Sequence, residues 1–223
     1  MDNHTITPQS SEPTLAPGDS RALLAGAAAT ACNVMDGVTP DQWDLPTACD
    51  GMCVGQLLEH LVMVMRRVER AGRFVPTAEW PMDAADVPAG GWCDAFIAAS
   101  HEAQTAWTSD RLAEPRELPW GLFPGDAVLG VYTNELTVHT WDLAQATGQE
   151  VVWNQDVLET SWDAIHQQLP IAKREEIWAA VKASLAPDYP WEDPFGDAVP
   201  IADDAPLISR LVAWNGRSVP PAS

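Results

Sequence analysis

The stretch NELTVHTWDLAQATG, residues 134–148, decides how the rest of this sequence is interpreted. It places Glu135, His139 and Asp142 at intervals of four and three positions, in a chain that contains only 5 histidines. On an α-helix, residues three or four positions apart lie on the same face. The pattern therefore predicts a helix that presents a carboxylate, an imidazole and a second carboxylate on one side.

The surrounding sequence is also helical in pattern. In residues 52–72, apolar residues recur at intervals of three and four, which puts His60 on the inward face of a second helix. Similar helical patterns occupy six other segments: 20–35, 92–107, 127–147, 156–169, 172–186 and 207–216. No alternating pattern before residue 190 predicts a strand. We expect an all-α fold, a four-helix bundle with additional short helices and an irregular C-terminal tail. The second and fourth helices should be adjacent, with their ligand faces opposed.

Length and composition favour one domain. Residues 1–18 carry Pro, Ser and Thr without apolar periodicity, so we predict a disordered N-terminal tail followed by a helical domain over 19–217. A proline-rich segment at 74–91 is expected to be a long loop that could cover a site.

The net charge of -20 argues against binding to nucleic acid or to anionic membrane surfaces. No apolar run is long enough to span a membrane and no signal peptide is evident, so we expect a cytoplasmic protein. Arg66, Arg70 and Arg73 recur at helical spacing and are interpreted as a solvated face paired with acids. The 4 cysteines are expected to be reduced, and most of them to be small buried apolar residues: Cys32, Cys49, Cys53 and Cys93.

A metal site is the sharper interpretation of the opening pattern. Glu135 and His139 stand one helical turn apart, but a catalytic zinc ion usually takes three protein ligands and leaves a position open. The inward His60 is the natural third ligand. The alternative is that His60 is a hydrogen-bonded core residue and that Glu135 and His139 share a face by chance.

Several other residues allow more than one interpretation. Asp142 could orient a ligating imidazole or serve as a surface hydrogen-bond partner, and Trp141 is expected to pack. His101 could approach the site or face solvent, whereas His4 and His166 look incidental. The 11 tryptophans fit either a core or an aromatic-walled pocket, in particular those flanking the central helices and loops: Trp92, Trp107, Trp120, Trp141 and Trp153.

Three segments carry a family resemblance: TACDGMCVGQLLEHLV, NELTVHTWDLAQATG and FGDAVPIADDAPLISRLVAWNGR. In order, across roughly residues 20–217, they resemble the mycothiol-dependent maleylpyruvate isomerase-like family of the DinB-like helical superfamily, as a short actinobacterial-type member. In that family a metal ion, usually zinc, is held by a His on the second helix and a Glu-x-x-x-His pair on a later one. The resemblance implies His60, Glu135 and His139 as metal ligands.

The resemblance also implies a class of chemistry. Family members with assigned activity carry a further C-terminal domain that we do not expect here, so fold, metal and thiol chemistry follow more directly than a substrate. We expect a metal- and mycothiol-dependent transferase or isomerase acting on a small electrophile. A metal-dependent hydrolase on the same site and a non-catalytic metal- or ligand-binding protein stay open, as does a homodimer.

Overall fold

The computed structural model describes residues 15–16, 18–49, 51–118, 120–184 and 195–220. Its α-helices are α1 Ser20–Asp36, α2 Val54–Gly72, α3 Trp92–Ala106, α4 Gly125–Thr147, α5 Gln155–Gln168, α6 Arg174–Ser184 and α7 Leu207–Trp214. Short 3-10 turns occur at Pro40–Gln42, Thr77–Glu79, Ser109–Arg111 and Ile171–Lys173. The predicted all-α fold is confirmed. Most of the predicted N-terminal tail, residues 1–14 and 17, lies outside the described residues.

One short element was not predicted from the sequence. The passage after α3 contains an antiparallel hairpin of β1 Pro115–Leu118 and β2 Gly121–Pro124, with Arg116 opposite Phe123. Each strand has 4 residues, and prolines begin one and end the other, so the segment carries too little alternation to predict a strand. The hairpin leads directly into α4, where the Gly125 amide donates to the Glu114 carbonyl.

Helices α1 to α4 form the bundle. Helix α2 packs on α3 and α4, and α1 packs on α4 and α3, so the second and fourth helices are adjacent as predicted. Fully buried apolar side chains fill the space between them: Leu57, Leu61, Phe96, Leu129 and Leu136. Each such side chain stabilises the fold by about 1.5–3 kcal/mol relative to an exposed position.

Helix α4 is the central element because other structure covers most of its circumference. It contacts α1, α2, α5 and α7, and its buried residues include six that are polar: Thr133, Asn134, Thr137, His139, Thr140 and Asp142. The three threonine hydroxyls donate to carbonyls four residues earlier, at 2.6–2.7 Å. Asn134, His139 and Asp142 depend instead on tertiary partners. The helix ends at Gly148, whose φ of 69° favours glycine.

A C-terminal strap, defined as residues 195–217, returns to the bundle. Its helix α7 packs on α5 and α4 around a second apolar cluster that includes Val138, Leu158 and Leu211. The strap closes on itself at two glycines. Gly216 has a φ of 88°, and a Cβ placed there would lie 3.0 Å from the Gly196 backbone. A side chain at residue 216 is therefore excluded by both conformation and space.

Three arginines at the end of α2 and just after it pair with acidic side chains. Arg66 pairs with Asp86 at 2.6 Å, Arg70 with Glu69 at 3.4 Å, and Arg73 with Glu69 and Glu102, which confirms the solvated, acid-paired face. The four cysteines are free thiols and half-buried, not fully buried as predicted for most of them. Within the described ranges, each helix is too short or too polar to cross a lipid bilayer.

Gly216→Ala should destabilise the protein more than Gly148→Ala does. Both positions have positive φ, which costs an L-residue about 1–2 kcal/mol, but nothing lies within 4 Å of a Cβ at residue 148. At residue 216 the backbone of Gly196 must also move. Urea unfolding followed by circular dichroism measures both losses, and equal losses would contradict the close contact between the two glycines.

Candidate metal centre

The structure brings His60, Glu135 and His139 together between α2 and α4. Glu135 Oε1 lies 3.3 Å from His60 Nε2 and 3.4 Å from His139 Nε2. The two imidazole rings meet edge to face, with their centroids 4.7 Å apart. One candidate ligand atom from each residue lies within 4.8 Å of the other two. Two imidazole nitrogens and a carboxylate oxygen at this separation are a donor set that suits zinc or a similar divalent ion.

The three side chains open into a cavity of about 650 Å³. The His60 and Glu135 side chains retain 20% and 15% exposure, whereas His139 lies deeper at 4%. Apolar and aromatic side chains provide much of the wall: Met52, Val64, Met82, Trp120, Phe123, Ile177, Trp178 and Phe195. Met82 comes from the proline-rich 74–91 segment, which therefore helps to cover the site as expected. Arg67 and Arg217 also line the cavity and bring positive charge to it.

Asp142 lies behind His139, on the side away from Glu135. Its fully buried carboxylate accepts a hydrogen bond from His139 Nδ1 at 3.0 Å. Because an ionised carboxylate can only accept, this contact requires a proton on Nδ1. Asp142 is therefore buried at the site and is not the surface hydrogen-bond partner that the sequence left open.

The electrostatics of the cluster follow from these contacts. Burial alone would raise the pKa of Glu135, but hydrogen bonds and charge interactions with His139 and His60 hold it well below its usual value. Burial alone would lower the pKa of His139, yet its hydrogen bonds to Asp142, Cys49 and Glu135 raise the pKa well above 6.5. The pKa of His60 is lowered, chiefly by burial. These contacts therefore favour protonation of His139 over protonation of His60 or Glu135.

Two contributors to the site were not predicted from the sequence. Cys49 lies at the cavity wall, in a turn before α2 that the Thr47 hydroxyl organises by donating to the Met52 carbonyl at 2.9 Å. Its sulfur forms a second compact group of ligand-type atoms with His139 and Asp142. Arg217, from the C-terminal strap, donates to both Asp142 oxygens. The strap sequence was part of the family resemblance, but nothing in its spacing indicated which residue reaches the site.

The remaining singled-out residues lie elsewhere. His101 is exposed on α3, and His166 stacks on Trp214 with ring centroids 3.6 Å apart. His4 lies outside the described residues. Trp141 is buried in the second apolar cluster, and Trp92 and Trp107 are in the main core, whereas Trp120 lines the cavity. The tryptophans thus divide between the two roles that the sequence left open.

Comparison with known proteins identifies the family. Residues 24–144 match the model described as the mycothiol maleylpyruvate isomerase N-terminal domain. The chain belongs to this family. The matched residues include His60, Glu135, His139 and Asp142, and they end well before Arg217.

Two uncharacterized proteins of Mycobacterium tuberculosis, from strains CDC 1551 and H37Rv, are each 29% identical over 189 residues. Each alignment covers 82% of this chain and 88% of the relative. No solved structure shows significant similarity to the chain.

The raised pKa of His139 gives the metal-free protein a distinctive pH dependence. A base whose pKa is raised by folding contributes stability fully below its unfolded pKa, near 6.5, and loses it as pH rises through the folded pKa. Because the lowered pKa of His60 acts in the opposite direction, the effect is measured as the difference between wild type and His139→Gln. Thermal unfolding across pH should show that difference shrinking from pH 6 upwards, about where free histidine titrates. A difference that grows with pH would contradict the assignment of the proton to His139.

Proposed function

We propose that the protein binds a divalent metal ion, zinc, through His60, Glu135 and His139, and acts as a thiol-dependent transferase or isomerase on a small electrophile. The observation that carries the proposal is the position of this donor set at the wall of a cavity of about 650 Å³. A cavity of this size lies within the range of about 300–1,000 Å³ typical of small-molecule sites. Three protein ligands leave a coordination position for an exogenous group.

The chemistry follows from the donor set. When bound, such an ion supplies a Lewis acid that lowers the pKa of a coordinated thiol, so that thiolate is present near neutral pH. Glu135 provides the only carboxylate in the proposed ligand set, so a divalent ion held there keeps net positive charge. The description of the family includes mycothiol, which supports mycothiol as the thiol. A reduced cytoplasmic setting would keep that thiol available.

The cavity wall supports a small, partly apolar substrate. Trp120 and Trp178 provide flat aromatic surfaces, and Met52 and Met82 provide adaptable apolar surface near the donor set. These side chains would exclude water from a reacting thiolate. Arg67, which donates to the Pro81 carbonyl at 2.8 Å, ties the proline-rich segment to α2 and so helps to hold that wall in place.

Metal content tests the first half of the proposal. Purified wild-type protein should carry about one equivalent of divalent metal by elemental analysis, and His60→Ala should lose it because only two ligands remain. His101→Ala is the matched control, since His101 is exposed on α3. A chelator should lower the melting temperature of wild type and of the control, because the ion binds only the folded state. Metal retained in His60→Ala would exclude this ligand set.

Thiol binding tests the second half. In calorimetric titrations, mycothiol and simpler thiol analogues should bind the zinc-loaded protein and bind the metal-free protein much more weakly. Glu135→Gln removes one ligand charge and should weaken metal and thiol binding together, whereas Glu102→Gln, an exposed substitution on α3, should change neither. If no thiol binds either form at millimolar concentration, thiol dependence is excluded, and a hydrolase or a non-catalytic binding protein replaces it.

A further inference from the structure

The guanidinium of Arg217 is built into the fold immediately behind the candidate metal centre. Arg217 is 5% exposed and grips Asp142 with two hydrogen bonds, from Nε to Oδ1 at 3.2 Å and from NH2 to Oδ2 at 2.9 Å. Its NH1 donates to the Asn215 carbonyl at 2.7 Å. The guanidinium is thus held on both of its edges, and paired donors of this kind fix the plane of a carboxylate as well as its position.

The same carboxylate oxygen serves two partners. Asp142 Oδ2 accepts from Arg217 NH2 at 2.9 Å and from His139 Nδ1 at 3.0 Å. Asp142 has no solvent exposure, so bulk water does not compete with either donor. Because Arg217 orients the carboxylate of Asp142, it also sets the position of the Oδ2 atom that accepts the hydrogen bond from His139 Nδ1.

The strap holds Arg217 by contacts that do not involve the metal centre. The Arg217 amide donates to the Val212 carbonyl at 2.9 Å, and the preceding Gly216 packs against Gly196. Asn215 exchanges side-chain hydrogen bonds with Asn134 on α4, at 3.2 and 3.3 Å. Asn134 directly precedes Glu135. The strap is therefore bonded to α4 on both sides of the Glu135 and His139 pair, at Asn134 and at Asp142.

We propose that Arg217 is a positioning residue that acts through Asp142 to hold the Nδ1–H of His139 and so to keep Nε2 turned towards Glu135 and His60. The consequence for metal affinity rests on the proposed function, but the orientation of the ring is a property of the chain itself. This assigns the C-terminal strap, which lies outside the residues matched by the family model, a direct part in preparing the site. Partners of ligating imidazoles typically change metal affinity about 10- to 100-fold when removed.

Imidazole NMR of 15N-histidine-labelled protein tests the positioning. We expect the wild-type spectrum to contain a slowly exchanging, hydrogen-bonded Nδ1 proton from His139, assigned by its loss in His139→Gln. Arg217→Met should weaken or abolish that resonance. Arg116→Met is the matched control, because Arg116 is also buried, at 2% exposure, and donates to three backbone carbonyls between Arg111 and Pro115, none of which belongs to the strap. The control should keep the resonance.

Zinc affinity, measured by competition with a chromogenic chelator, is the second readout. Arg217→Met should bind zinc about 10- to 100-fold more weakly than wild type, and Arg116→Met should match wild type. Arg217→Lys keeps the charge but cannot grip both oxygens at once, so it should fall between them in affinity and in the Nδ1 resonance. If Arg217→Met does not fold, Arg217→Lys decides the matter in its place.

The outcomes separate this inference from the proposed function. If wild type binds no zinc while the Nδ1 proton is present and sensitive to Arg217, the metal proposal fails and the positioning role stands. An Nδ1 resonance that is absent from wild type, unchanged in the folded Arg217 variants, or equally disturbed by Arg116→Met overturns the positioning role whether or not zinc binds.

Discussion

The fold depends on a fully buried carboxylate, Asp142, in the last two turns of its most enclosed helix. An unpaired charge in such a place would cost more free energy than any single apolar contact returns. Arg217 and His139 supply the pairing, one from each side. Arg217 belongs to the C-terminal strap, so the pairing of Asp142 joins the strap to the bundle. The same pairing holds the Asp142 carboxylate beside the His139 imidazole.

The polar residues on α4 are of two kinds. Some form hydrogen bonds to backbone carbonyls of the helix itself, and others bond to side chains of the site or of other elements. Thr133, Thr137 and Thr140 donate to their own helix and allow close packing without needing a partner elsewhere. Asn134, Glu135 and His139 have partners on other elements or within the cluster, and they face the cavity. The polar side chains of α4 that bond outside their own helix backbone therefore lie on the side that faces α2, the hairpin and the strap.

The sequence was sufficient for the elements with strong periodicity and for the residues carried on them. The spacing of Glu135 and His139, together with the inward position of His60, predicted which side chains would meet. The short β-hairpin could not be predicted, because strands of 4 residues bounded by prolines have almost no pattern of their own. Arg217 and Cys49 were missed for another reason: each reaches the site through turn geometry, at Gly216 and at Thr47, and turns leave no periodic signal.

The origin of the three candidate ligands on two helices has a consequence for ion selectivity. Glu135 and His139 share one turn of α4, so the separation of their backbones is fixed by helix geometry. His60 alone comes from α2, and its distance from the pair depends on how closely the two helices pack. The distance from His60 to the other two candidate ligands therefore depends on apolar residues that are not themselves ligands. In the proposed metal site, exchanging a large core side chain for a small one between α2 and α4 would change the preferred ionic radius without changing any of the three proposed ligands.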